Sequence, residues 1–184
     1  MSPMSMQSGS FKTLATSCLA SALSIVCLSI AVAEPLVTVI GYDLHLFPRN
    51  DAVRYEVSRT HHASQVFHCL ALAAFCACFG AALGMLLVLD GLSERTQRNG
   101  TAVIAMLAAT GAVAHAAALG SIFHVALQWK DTLERIPVPI PDVQAQMRAG
   151  IYMDVVCLIP SLTAAILTAK VAARSYRERY VSLE

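Results

Sequence analysis

Charge is what this sequence has little of, and its distribution says more than its amount. Only 14% of the 184 residues are Asp, Glu, Lys or Arg, against about 25% in an average soluble domain. None occurs between Lys12 and Glu34, between Arg59 and Asp90, between Arg98 and Lys130, or between Asp154 and Lys170. A membrane-spanning helix needs about 20 mostly apolar residues, and the first three gaps meet that length. The fourth, of 15 residues, meets it if Asp154 is drawn inside or Lys170 snorkels at the far end. Cysteine is missing from every connecting segment. Cys18, Cys27, Cys69, Cys76, Cys78 and Cys157 all lie in the apolar runs, which excludes a disulfide-braced ectodomain and leaves small buried hydrophobes. Cys76-Ala77-Cys78 lacks zinc-ribbon spacing. A net charge of +1 gives no footprint for nucleic acid. No Walker loop, zincin motif or Gly-x-Ser-x-Gly is present, so the sequence points to no enzyme class and to no cofactor.

What is present predicts an all-α membrane protein: a four-helix transmembrane bundle with spans at about 13–33, 64–90, 101–128 and 149–170. Helices are required because backbone polar groups in lipid must be satisfied within their own segment, and the runs lack the alternation of barrel strands. Outer loops then cover 34–63 and 129–148, and tails cover 1–12 and 171–184. The first run ends Ala31-Val32-Ala33, which has the form of a signal-peptidase site, and cleavage would leave three spans. The run is longer than a signal core, and Thr13, Ser17, Ser21 and Ser24 place hydroxyls on one helix face, as a packing surface does. A retained span is therefore the favoured reading. Four basic residues between Lys170 and Arg179 follow the last span directly, which places both tails in the cytosol.

The first outer loop is rich in Val, Ile, Tyr and Phe. Segments 37–47 and 53–58 are expected to pair as a small hairpin, with Pro48 to Asp51 at the turn. The second loop alternates prolines with apolar residues, which favours an extended chain. Ala108, Ala112, Ala116 and Gly120, and Ala73, Ala77 and Ala81, recur every fourth residue and suggest close helix packing.

The ionisable residues inside the spans are the candidate site. His68, His124 and Asp154 each lie about one turn inside an outer helix end and so share a layer. His61 and Gln65 share a face of the second span with His68, and His115 lies nine residues before His124, on the opposite face of the third. An intramembrane ionisable residue is a functional-site hypothesis by default. Three readings stand: proton or ion handling by imidazole and carboxylate, a structural polar contact fixing helix register, or exposure of Asp154 at the headgroups.

The first span is followed by "EPLVTVIGYDLHLF", a short link joins the second and third, and the last opens "RAGIYMDVVCLIPSL". This layout resembles the amastins, four-span surface proteins of kinetoplastid parasites, and more distantly the claudins. It departs from the amastin pattern in having neither the Cys pair nor the Trp-Gly of that family's outer loop. The resemblance implies a plasma-membrane or cell-surface protein tied to host contact or membrane homeostasis, and the β-rich outer loop joined to small-residue ridges suggests a non-enzymatic tetraspan that contacts the lipid bilayer, a second copy or another surface protein. A small transporter or proton-conducting subunit built on His68, His124 and Asp154 is the alternative.

Overall fold

The computed structural model describes residues 3–39, 42–47, 59–88, 91–134 and 146–181. Four helices, α1 Pro3–Ala33, α2 Arg59–Val88, α3 Glu94–Glu134 and α4 Ala149–Val181, carry most of them. Each contains a stretch long and apolar enough to cross a membrane: Phe11–Ala33, Thr60–Val88, Arg95–Val125 and Ala149–Arg174. The chain is an integral multi-pass membrane protein. α1 packs on α2, α2 on α3, α3 on α4, and α4 closes the ring on α1, so α2 and α4 stand diagonally across the bundle. Local chemistry sets the turn between α2 and α3. Ser93 caps α3, its hydroxyl accepting from the Thr96 amide at 3.3 Å while its carbonyl accepts from Gln97 at 2.9 Å, which supplies partners at the otherwise unpaired first turn.

Each helix buries one continuous stripe, with Cys18, Ala20, Ala74, Ala114 and Leu119 buried beside the stripes. The stripe runs through Ser64, His68, Ala71, Phe75, Cys78, Ala82 and Met85 in α2, and through Ile151, Asp154, Cys157, Ser161, Ala164 and Thr168 in α4. In α1, Leu14, Ser17, Ser21, Ser24, Leu28 and Ala31 form the stripe, as do Thr101, Ile104, Ala108, Ala112, His115, Ala118 and Ile122 in α3. The steps are a mixture of threes and fours, averaging about 3.5 residues, which keeps a seam facing its partners in coiled-coil-like packing. The expected every-fourth-residue ridges do not: each step of four advances the helix by about 400°, about 40° past a full turn. Ala108 and Ala112 are buried, but Ala116, Gly120, Ala73 and Ala77 have rotated out to the surface. Outward positions are apolar, with Leu19, Leu87, Val113 and Ile159 among the exposed large side chains. Ser17, Ser21, Ser24, Ser64, His68, His115, Asp154 and Ser161 lie inside, the distribution expected of a bundle solvated by lipid.

A three-stranded antiparallel sheet sits at one end. β1 Pro35–Val39 pairs with β2 Tyr42–His45 on one side and with β3 Gln146–Met147 on the other. The segment 37–47, expected as one strand facing 53–58, is thus two short strands folded on each other. Residues 48–58, including the expected turn and second strand, lie outside the described residues. The sheet is tied to the helices at Gly150, where a Cβ would meet the Pro35, Glu34 and Ala31 carbonyl oxygens at 2.9, 3.0 and 3.2 Å. Only glycine lets the start of α4 approach the end of α1 so closely.

Candidate functional site

Asp154 is wholly buried in α4, and two imidazoles reach it. His68 of α2 comes from across the diagonal and places Nε2 3.1 Å from both carboxylate oxygens. His115 of α3 places Nε2 3.1 Å from Oδ1. The two histidines are 1% and 0% exposed, so the centre lies on the axis of the bundle. With ~1.5 Å of rise per residue, its members sit roughly 8 to 15 Å inside the sheet-side ends of their spans.

Each imidazole is oriented by its other nitrogen. His68 Nδ1 lies 2.9 Å from the Ser64 carbonyl one turn back; a carbonyl only accepts, so Nδ1 carries hydrogen. The Ser64 hydroxyl donates to the Ala118 carbonyl of α3 at 3.4 Å. His115 Nδ1 faces the Ser161 hydroxyl at 3.2 Å. Ser161 also lies 3.4 Å from Ser24 Oγ, and Ser24 commits its own hydrogen to the Ala20 carbonyl at 3.0 Å. The Cys157 thiol is 3.5 Å from both Ser161 Oγ and the Ser24 carbonyl. A continuous file of polar groups therefore runs Ser64, His68, Asp154, His115, Ser161, Ser24, drawing on all four helices.

These contacts limit where protons sit. His68 Nδ1 is protonated, so two contacts with Asp154 remain, and each needs one proton. Two protons fill both contacts and leave the centre with zero net charge. A proton between His68 and Asp154 makes either an ion pair or a neutral pair, depending on which atom holds it. The proton between His115 and Asp154 sits on His115 Nε2, so His115 Nδ1 is bare and accepts from Ser161. A third proton makes the net charge +1 and must go to His115 Nδ1. Burying net charge in low dielectric is costly, so the neutral arrangement is the resting one. No group of three or more His, Cys, Asp or Glu side chains among the described residues is arranged to hold a metal ion.

Two of the three residues expected in one layer, His68 and Asp154, do meet. The third, His124, does not join them: it is exposed on α3. His115, expected only as an accessory, takes its place. Depth suggested His124, but facing decides, and nine residues put the two histidines about 180° apart. The steps from Ala108 through Ala112 to His115 and Ala118 were the available sign that His115 faces inward. The other accessories serve the sheet. His61 Nε2 lies 3.0 Å from the Leu46 carbonyl and Gln65 donates to the same oxygen at 2.7 Å. Leu46 is wholly buried and packs with Ile122, Ile151 and Val32, covering the centre on the sheet side. No family model, curated protein or solved structure matches this chain.

Proposed function

We propose that this protein is a proton-handling membrane subunit whose working group is the His68–Asp154–His115 centre. The observation that carries this reading is that a carboxylate and two imidazoles are buried together on the bundle axis and hydrogen-bonded at 3.1 Å. A purely apolar contact at these positions would hold four helices together without the desolvation cost of ionisable groups. An imidazole hydrogen-bonded to a carboxylate can pass a proton across that contact, and its second nitrogen can take up or release another. The hydroxyls of Ser161 and Ser24 extend the hydrogen-bonded file from the centre to α1. Leu46, held by His61 and Gln65, is the barrier that a proton from the sheet side must pass. The basic cluster in the last turns of α4 supports a cytosolic position for both tails, with the sheet outside.

The test is proton flux into liposomes carrying the purified chain under an imposed membrane potential. Wild-type flux well above that of protein-free vesicles, lost at least tenfold in Asp154→Asn, is expected. Wild-type vesicles no leakier than empty ones would overturn the reading.

A second reading is favoured by the sheet. Three strands drawn from both connecting segments form one platform fixed to the helix ends, suited to contact with a partner at the cell surface. On this reading the protein is a non-enzymatic surface tetraspan, in keeping with its resemblance to the amastins, and the buried centre fixes helix register. Loss of cell–cell or cell–matrix adhesion on replacing residues 36–45, with the helices still folded, is the result it requires.

A further inference from the structure

We propose that the Ser161 hydroxyl is a two-position rotor that reports the protonation of the centre to α1. The inference rests on the proton-handling reading and adds a positioning residue to it. Ser161 Oγ has two acceptors within reach on different helices: His115 Nδ1 at 3.2 Å and Ser24 Oγ at 3.4 Å. It has one hydrogen to give. Ser24 cannot compete for the donor role, because its own hydrogen goes to the Ala20 carbonyl at 3.0 Å.

With two protons in the centre, His115 Nδ1 is bare and Ser161 donates to it. A third proton forms an N–H bond at Nδ1. That nitrogen then donates, so Ser161 must accept from it and turn its own hydrogen to Ser24. No covalent bond of Ser161 breaks. One O–H···N contact between α4 and α3 is replaced by N–H···O, and an O–H···O contact between α4 and α1 is gained. The titratable groups facing this step are His68 from α2, His115 from α3, and Asp154 and Cys157 from α4. α1 contributes Cys27, which acts on Cys157. The Cys157 thiol touches both Ser161 Oγ and the Ser24 carbonyl at 3.5 Å and is a built-in reporter of the rotation.

The experiment uses the full chain in lipid bilayers, with nitrogen-15 histidine for solid-state NMR and infrared detection of the Cys157 S–H stretch, assigned by difference from Cys157→Ala. In the resting state His115 is expected to carry its single proton on Nε2. On acidification both nitrogens become protonated and the S–H band shifts. In Ser24→Ala and Ser161→Ala, His115 still takes up its proton but the band shift is lost; Ser161→Thr, which keeps the hydroxyl, restores it. A resting proton on Nδ1, or a band shift that persists in Ser161→Ala, would overturn the rotor. Both signals are read without a proton gradient. Vesicles lacking flux while the tautomer change occurs would refute conduction and leave the rotor standing; flux with a resting Nδ1 proton would do the reverse.

Discussion

Replacing Asp154 separates the structural work of the centre from its proton work. Asparagine keeps one acceptor and gains one donor. Its Oδ1 accepts from His115 Nε2–H, and its Nδ2 donates to His68 Nε2, which is bare when Nδ1 is held by the Ser64 carbonyl at 2.9 Å. Both 3.1 Å contacts survive, and the centre stays neutral. Asp154→Asn should therefore change folding stability by less than about 1 kcal/mol, the scale of one net hydrogen bond, while removing the exchangeable proton. Leucine makes neither contact. It strands a donor on His115 and an acceptor on His68, both wholly buried, at about 1–3 kcal/mol each, so Asp154→Leu should lose roughly 2–6 kcal/mol. Equilibrium unfolding in mixed micelles measures both variants. Double-mutant cycles of Asp154→Leu with His68→Ala and with His115→Ala give the pairwise terms. Hydrogen bonds between membrane helices couple by about 0.6 kcal/mol on average and about 1.7 at most. The His68 pair, which contacts both carboxylate oxygens, should lie near the upper figure. Coupling below about 0.5 kcal/mol in both cycles, the level at which independent sites add, would refute the hydrogen-bonded centre. An Asn variant as unstable as the Leu variant would refute the proton assignment.

Gly150→Ala should destabilise the fold by about 1–3 kcal/mol through overpacking, because its Cβ meets backbone oxygens that cannot swing aside. Gly80→Ala, with nothing within 4 Å, is the matched control and should be neutral or slightly stabilising in the same unfolding assay. Ser17 Oγ is buried with no hydrogen-bond partner among the described residues; Ser17→Ala removes that orphaned hydroxyl and should raise the unfolding free energy by up to about 1 kcal/mol, and a fall of that size would show that the hydroxyl has a partner. Single cysteines introduced at Asn99 and Ser182 in a cysteine-free background should stay unlabelled by impermeant reagents in intact cells. Labelling at either would reverse the orientation.

The sequence by itself determined four apolar helical runs, because charge-free runs of this length belong in lipid, and in lipid a helix satisfies the backbone within its own segment. It also identified Asp154 and His68 as the residues to watch, since ionisable groups inside such runs are rare. The serine face of α1 was legible for the same reason: Ser17, Ser21 and Ser24 recur at helical spacing and are buried in the bundle. What the sequence left open was facing. Both His115 and His124 lie in the third span, and depth measured from the end of an apolar run favoured the wrong one. Only the tertiary packing shows that the buried seam of α3 runs through Ala108, Ala112, His115 and Ala118, which turns His115 to the axis and His124 outward. The strands needed the tertiary structure too. β3 is two residues long, and its partner lies more than 100 residues away in the chain, so no local pattern encodes it. Helix existence is a local property set by solvent and backbone, but a site drawn from α2, α3 and α4 exists only once the helices have chosen which faces meet.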